Sequence, residues 1–106
     1  MYLLKINKID ESKVIVIPEK SLDFNNSGEV KERLLSLNEE GFKEIIIDFS
    51  NVESIDSFGL GKLLVVNKII RENNARLKLV NIESEYILNT FEMIKLNRVI
   101  DIEGLE

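Results

Sequence analysis

A carboxylate and a hydroxyl stand side by side where a polar stretch gives way to an apolar run: Ser54-Ile55-Asp56-Ser57-Phe58-Gly59-Leu60-Gly61-Lys62-Leu63-Leu64. Asp and Ser both favour the first positions of a helix, because their side-chain oxygens accept from N–H groups that have no partner within the helix. Those N–H groups and the positive end of the helix dipole also favour an anion. Gly59 and Gly61 are unexpected inside a helix, where each costs up to about 1 kcal/mol relative to Ala. Two missing Cβ atoms would let another chain or a phosphate approach the backbone. The plainer reading is that Asp56-Ser57 only caps the helix and the glycines allow close helix–sheet packing. The residue types alone favour that plainer reading.

Little other chemistry is open to this chain. It has no His and no Cys, which removes imidazole bases, thiol nucleophiles, disulfides and zinc–thiolate sites. Asp23 and Asp48 could form a metal pair, but two carboxylates without a third ligand are better explained as a turn residue and a strand-end residue. Gly61-Lys62 does not make a phosphate-binding loop, since that pattern needs Gly where Asp56 stands and Ser or Thr where Leu63 stands. A receiver-like phosphoacceptor at Asp48 would need an acidic pair after the first buried strand, and Pro18-Glu19-Lys20 follow Ile17 instead. No cofactor is expected.

The elements that must position Ser57 follow from periodicity. Tyr2–Ile6 reads as an edge strand. Lys13–Ile17 and Glu44–Phe49 are β-branched and continuous, which predicts strands buried on both faces. Leu77–Ile82 and Val99–Ile102 read as further strands. A helix is expected after Asn26, with Glu29 in the capping-box position, Val30, Leu34 and Leu37 on one stripe, and Gly41 as its stop. A second runs from about Ser57 to Asn73-Asn74. A third starts at Ser84, with Ile87, Phe91 and Ile94 on one stripe, and ends near Asn97. The order β-β-α-β-α-β-α-β predicts an α/β fold with a mostly parallel mixed sheet covered by about three helices. Function in such folds gathers in loops after strand C-termini, here Ser50 to Asp56. On the second helix, Leu60, Leu63, Leu64, Val66 and Ile70 should pack on the sheet. Val65 and Ile69 point away, either toward a neighbouring helix or toward a protein partner.

The whole chain of 106 residues fits one domain, 1–106. Lys and Arg total 14 against 19 Asp and Glu, a net charge of -5, and the basic residues are scattered. This argues against direct nucleic-acid binding and leaves protein partners open. A hydrophobic content of 44% suffices for a core. No apolar run nears the ~20 residues that cross a bilayer, and no leader-like core follows Met1. A cytoplasmic location is expected.

The segment Asp48-Phe49-Ser50-Asn51-Val52-Glu53-Ser54-Ile55-Asp56-Ser57-Phe58-Gly59-Leu60-Gly61 resembles the signature of STAS domains, in particular the anti-sigma factor antagonists. That signature is a strand ending in apolar–Asp–apolar–Ser, a short loop, then Asp-Ser, a variable residue and Gly-Leu-Gly. Leu22-Asp23, Leu79-Val80-Asn81 and Lys95 to Ile100 fit the family more weakly, so the similarity covers nearly the whole chain. The resemblance implies a binding switch and not an enzyme. The hydroxyl after the Asp, Ser57, would be phosphorylated by a partner anti-sigma factor that is a serine kinase, with ATP bound on the kinase. The unmodified form would bind that partner and release a sigma factor. Phosphorylation would end the binding and a phosphatase would restore it. Asp23, Asp56, Phe58, Gly59, Leu60, Gly61, Val65 and Ile69 are the expected partner-binding residues, and a weak homo-oligomer is compatible with the pattern. Phe58 departs from the small residue common there and resembles the stressosome-type branch. Asn51 stands where Gly or an acidic residue is frequent. The sequence ends at Glu106, where many relatives carry a further helix, which would leave a sheet face or a partner surface less covered. The alternative within the same fold is a non-switching scaffold or small-ligand-binding domain of a stressosome-like assembly.

Overall fold

The computed structural model describes residues 4–105. Strands β1 (Lys5–Lys8), β2 (Lys13–Ile17) and β3 (Lys20–Leu22) precede helix α1 (Ser27–Glu39). Strands β4 (Glu44–Asp48) and β5 (Val52–Ile55) then lead into α2 (Ser57–Glu72). β6 (Arg76–Val80), α3 (Glu85–Met93), a 3-10 turn (Leu96–Arg98) and β7 (Asp101–Ile102) complete the chain. Five strands form one sheet in the order β1-β2-β4-β6-β7. β1 is antiparallel to β2, and the remaining pairs are parallel. The fold is therefore the expected single α/β domain with a mostly parallel mixed sheet and three helices.

The sheet is not buried on both faces. Val14, Val16, Ile45, Ile47, Leu77 and Leu79 are essentially inaccessible, while Ile15, Ile17, Ile46 and Val80 between them are half-buried. The strands alternate because the helices supply Val30, Leu34, Leu37, Leu63, Val66 and Ile70 to one core with one face of the sheet. The continuous β-branched runs reflect strand propensity on the open face as well as burial on the closed one.

The segment expected as a loop from Ser50 to Asp56 contains β5. β5 pairs in parallel with β3 to form a separate two-stranded sheet, with a register shift between Lys20 and Ser21. This ribbon underlies the start of α2, since Asp56 N donates to Leu22 O at 3.1 Å.

Other boundaries move for local reasons. The Tyr2–Ile6 strand falls partly outside the described residues, and within them the strand is Lys5–Lys8. Leu77–Ile82 shifts to Arg76–Val80, and Asn81 turns away with a φ of 56°. The Asn26–Glu29 capping box does not form. Asn26 is buried with its carboxamide turned back, Oδ1 accepting from Asp23 N and Nδ2 donating to Ser21 O. α1 ends as expected at Gly41, whose φ of 113° suits a residue without Cβ. α3 stops at Met93 because Lys95 takes the left-handed conformation, which exposes Ile94 and lets Leu96 in the 3-10 turn fill the core. Only Asp101–Ile102 of the expected last strand pairs with β6.

Candidate functional site

Asp56 is the N-cap of α2, and its carboxylate does two jobs. Oδ1 accepts from Gly59 N at 2.9 Å, which satisfies a free donor of the first turn. Oδ2 accepts from Phe24 N at 3.1 Å, which ties the β3–α1 loop to the helix start. The Gly59 N–H holds the Asp56 carboxyl below its ordinary value; desolvation opposes it, and the N–H groups of Phe24 and Phe58 add smaller lowering contributions.

Ser57 is the first helical residue and is exposed, so its hydroxyl lies at the mouth of α2 beside an ionised carboxylate. Phe58 is 53% exposed, and its ring meets that of Phe24 edge to face with centroids 5.0 Å apart. Phe24 is itself 69% exposed. Two phenyl rings standing in solvent next to a polar hydroxyl make an apolar step that none of the described residues covers. Phe24 was not singled out from sequence. The signal available was one aromatic residue in the polar stretch Asp23-Phe24-Asn25-Asn26.

Asp23 shapes the loop that carries Phe24. Its Oδ2 accepts from Ser21 Oγ and its Oδ1 from Asn25 N, while its carbonyl accepts from the N–H groups of Asn26 and Ser27. Asp48 is engaged elsewhere, with Ser50 N and Asn81 Nδ2. Burial pushes the Asp48 carboxyl up, but the bonds from Ser50 and Asn81 together hold it below its ordinary value. Each aspartate is committed to its own turn, and among the described residues no three carboxylates gather as a metal site.

The two glycines of α2 separate. Gly59 is buried, and a Cβ there would overlap the Leu22 carbonyl and press on the Ile55 side chain. Its small size serves the seat of α2 on the β3–β5 ribbon. A Cβ on Gly61 would meet nothing within 4 Å. Ser57, Gly61, Leu64 and Lys68 recur at helical spacing along the outer face of α2. Leu64 is 38% exposed and belongs to this face, not to the sheet-packing side where it was expected, because Leu63 and Val66 take the core positions on either side of it. Val65 is exposed, Ile69 is half-buried, and Leu60 is half-buried against the core. The structure thus gathers Asp23, Asp56, Ser57 and Phe58 at one end of α2, extends an outer face through Gly61 and Val65, and turns Gly59 inward.

Residues 4–104 match the family model described as the STAS domain. The chain belongs to the STAS domain family. A candidate anti-sigma factor antagonist of Thermotoga maritima is 32% identical over 97 residues, covering 90% of this chain and 84% of that protein. The anti-sigma-B factor antagonist of Bacillus subtilis (strain 168) is 30% identical over 97 residues, covering 92% and 87%. Among solved structures, the crystal structure of a candidate anti-sigma factor antagonist from Thermotoga maritima superposes with a TM-score of 0.81 at 28% identity, over 95% of this chain and 84% of that one. No helix among the described residues is long and apolar enough to cross a membrane.

Proposed function

We propose that this STAS domain is an anti-sigma factor antagonist whose binding is switched by phosphorylation of Ser57. The observation that carries the reading is the exposed Ser57 hydroxyl at the first position of α2, next to a carboxylate already committed to the helix cap. The partner is an anti-sigma factor that is also a serine kinase and brings the ATP. Binding of the unmodified domain frees a sigma factor, and a phosphatase resets the modified form.

The surface chemistry fits this role. Phe24 and Phe58 offer an aromatic anchor, and aromatic anchors dominate the energy of many interfaces. Phosphoserine would add about -1.5 to -2 charges at the edge of that anchor. Asp56 already occupies the Gly59 N–H, so this donor is not free to neutralise the new phosphate. The dianion would stand beside an aspartate and face outward, where like-charge repulsion and the cost of stripping its water oppose docking. The fold itself need not change.

The test is incubation with the ATP-dependent anti-sigma kinases of the same genome, followed by mass spectrometry. One phosphate on Ser57, absent from Ser57→Ala, is expected. Partner binding with no modification would place the domain among non-switching scaffolds, and phosphate on another residue would contradict the assignment of Ser57.

A further inference from the structure

The far end of α2 carries a second, unrelated arrangement. Three of the four arginines in the chain, Arg71, Arg76 and Arg98, line one hollow of about 280 Å³ between the last turn of α2, the start of β6 and the 3-10 turn before β7. Asn67, Asn97 and Asp101 complete its polar wall. By helical rise the hollow lies about 21 Å along α2 from Ser57.

Two of these groups are pinned from the same side. Asn67 Nδ2 donates to Val99 O at 3.2 Å, and Arg71 Nη1 donates to the same carbonyl at 3.3 Å. None of the three guanidinium groups takes part in an ion pair among the described residues, although acidic residues outnumber basic ones in the chain. Asp101 offsets only part of their charge. An arginine in the last turn of a helix is commonly explained by the helix dipole, and that accounts for Arg71. It does not explain why a strand-start arginine and a turn arginine, both exposed, line the same hollow.

We infer that this hollow is a binding site for a phosphate-type oxyanion, either free or as the phosphate group of a small metabolite. Guanidinium groups present paired N–H donors whose spacing matches two oxygens of a phosphate, and such charge-assisted bonds are the stronger kind. The volume lies just below the range of pockets for drug-sized ligands, so it admits a phosphate together with a small group esterified to it. The site is independent of the Ser57 switch.

Inorganic phosphate titrated into the isotope-labelled domain, at constant ionic strength against chloride, tests the inference by amide chemical shifts. Saturable shifts are expected at Arg71 and from Asn97 to Asp101, with none at Ser57 to Gly61. Arg76→Gln and Arg98→Gln should each weaken binding about tenfold, as expected for loss of a hydrogen bond to a charged group. Lys5→Gln, which removes the same charge from an exposed strand, should leave it unchanged. A phosphorylated metabolite set, such as sugar phosphates, distinguishes a free anion from an esterified one by which saturates at lower concentration. Shifts equal with chloride, or equal weakening by Lys5→Gln, would show general charge screening and overturn the site. So would no shift at millimolar phosphate.

Discussion

The first turn of α2 has an inner and an outer face, and they are built on different rules. On the inner face, Gly59 is pressed so close to the Leu22 carbonyl that no side chain fits, and Asp56 binds both its own helix and the loop before α1. On the outer face, Ser57, Phe58 and Gly61 are exposed or have free space around them. Residues that a family signature places side by side thus divide into those that hold the helix in position and those that are held out. The contrast predicts that substitutions on the inner face change stability, whereas those on the outer face change binding.

The largest loss of stability should come from Gly59→Ala. The obstacle is backbone, which cannot rotate away, so overpacking should cost about 1–3 kcal/mol in urea unfolding. An unchanged midpoint would mean that the β3–β5 ribbon yields easily and that the inner face is not a fixed seat. The outer face is broken most directly by Phe24→Ala and Phe58→Ala. Each should weaken anti-sigma partner binding by about tenfold or more while moving stability by less than about 1 kcal/mol. If both variants bound normally, the exposed rings would not be the anchor.

Asp56→Ala removes the carboxylate that anchors the inner face. Loss of the cap should lower the unfolding midpoint. The effect is also pH-dependent, and its direction follows from the lowered folded-state value of Asp56. A carboxyl lower in the folded than in the unfolded state contributes fully above the unfolded value, about 3.9, and loses that contribution as pH falls through the folded one. The stability gap between the parent and Asp56→Ala should therefore be constant above about pH 5 and narrow below about pH 4. A gap that widened on acidification would contradict the cap. The smallest change is expected from Gly61→Ala. With no atom to meet, the new methyl should stabilise α2 by up to about 1 kcal/mol, the reverse of Gly59→Ala.

How far the sequence disclosed this arrangement varied with the reach of the interaction. Val14 to Ile17 and Ile45 to Ile47 declare strands through side chains that favour them, and Asp56-Ser57 declares a helix start through its own hydrogen-bonding chemistry. Lys20-Ser21-Leu22 and Val52-Glu53-Ser54-Ile55 give no such sign, because they are short, mixed in polarity, and extended only by pairing with each other. Asn26 looks like a cap by type. Its carboxamide is used to close the loop before it, a choice made by the positions of Ser21 and Asp23. Gly59 and Gly61 look equivalent until the Leu22 carbonyl is placed beside one of them. Phe24 and Phe58 meet because β3 pairs with β5 and the Asp56 carboxylate ties the loop after β3 to the helix start. The same holds for Arg71, Arg76 and Arg98, scattered in the chain and gathered by the fold.

The proposed switch is tested most directly by measuring, side by side, the affinity of the proposed anti-sigma partner for the unmodified domain and for the domain carrying stoichiometric phosphate on Ser57. Weakening by at least about tenfold on phosphorylation, with backbone amide shifts confined to the neighbourhood of α2's first turn, is the expected result. Equal affinity of the two forms, or tighter binding of the phosphorylated one, would contradict it.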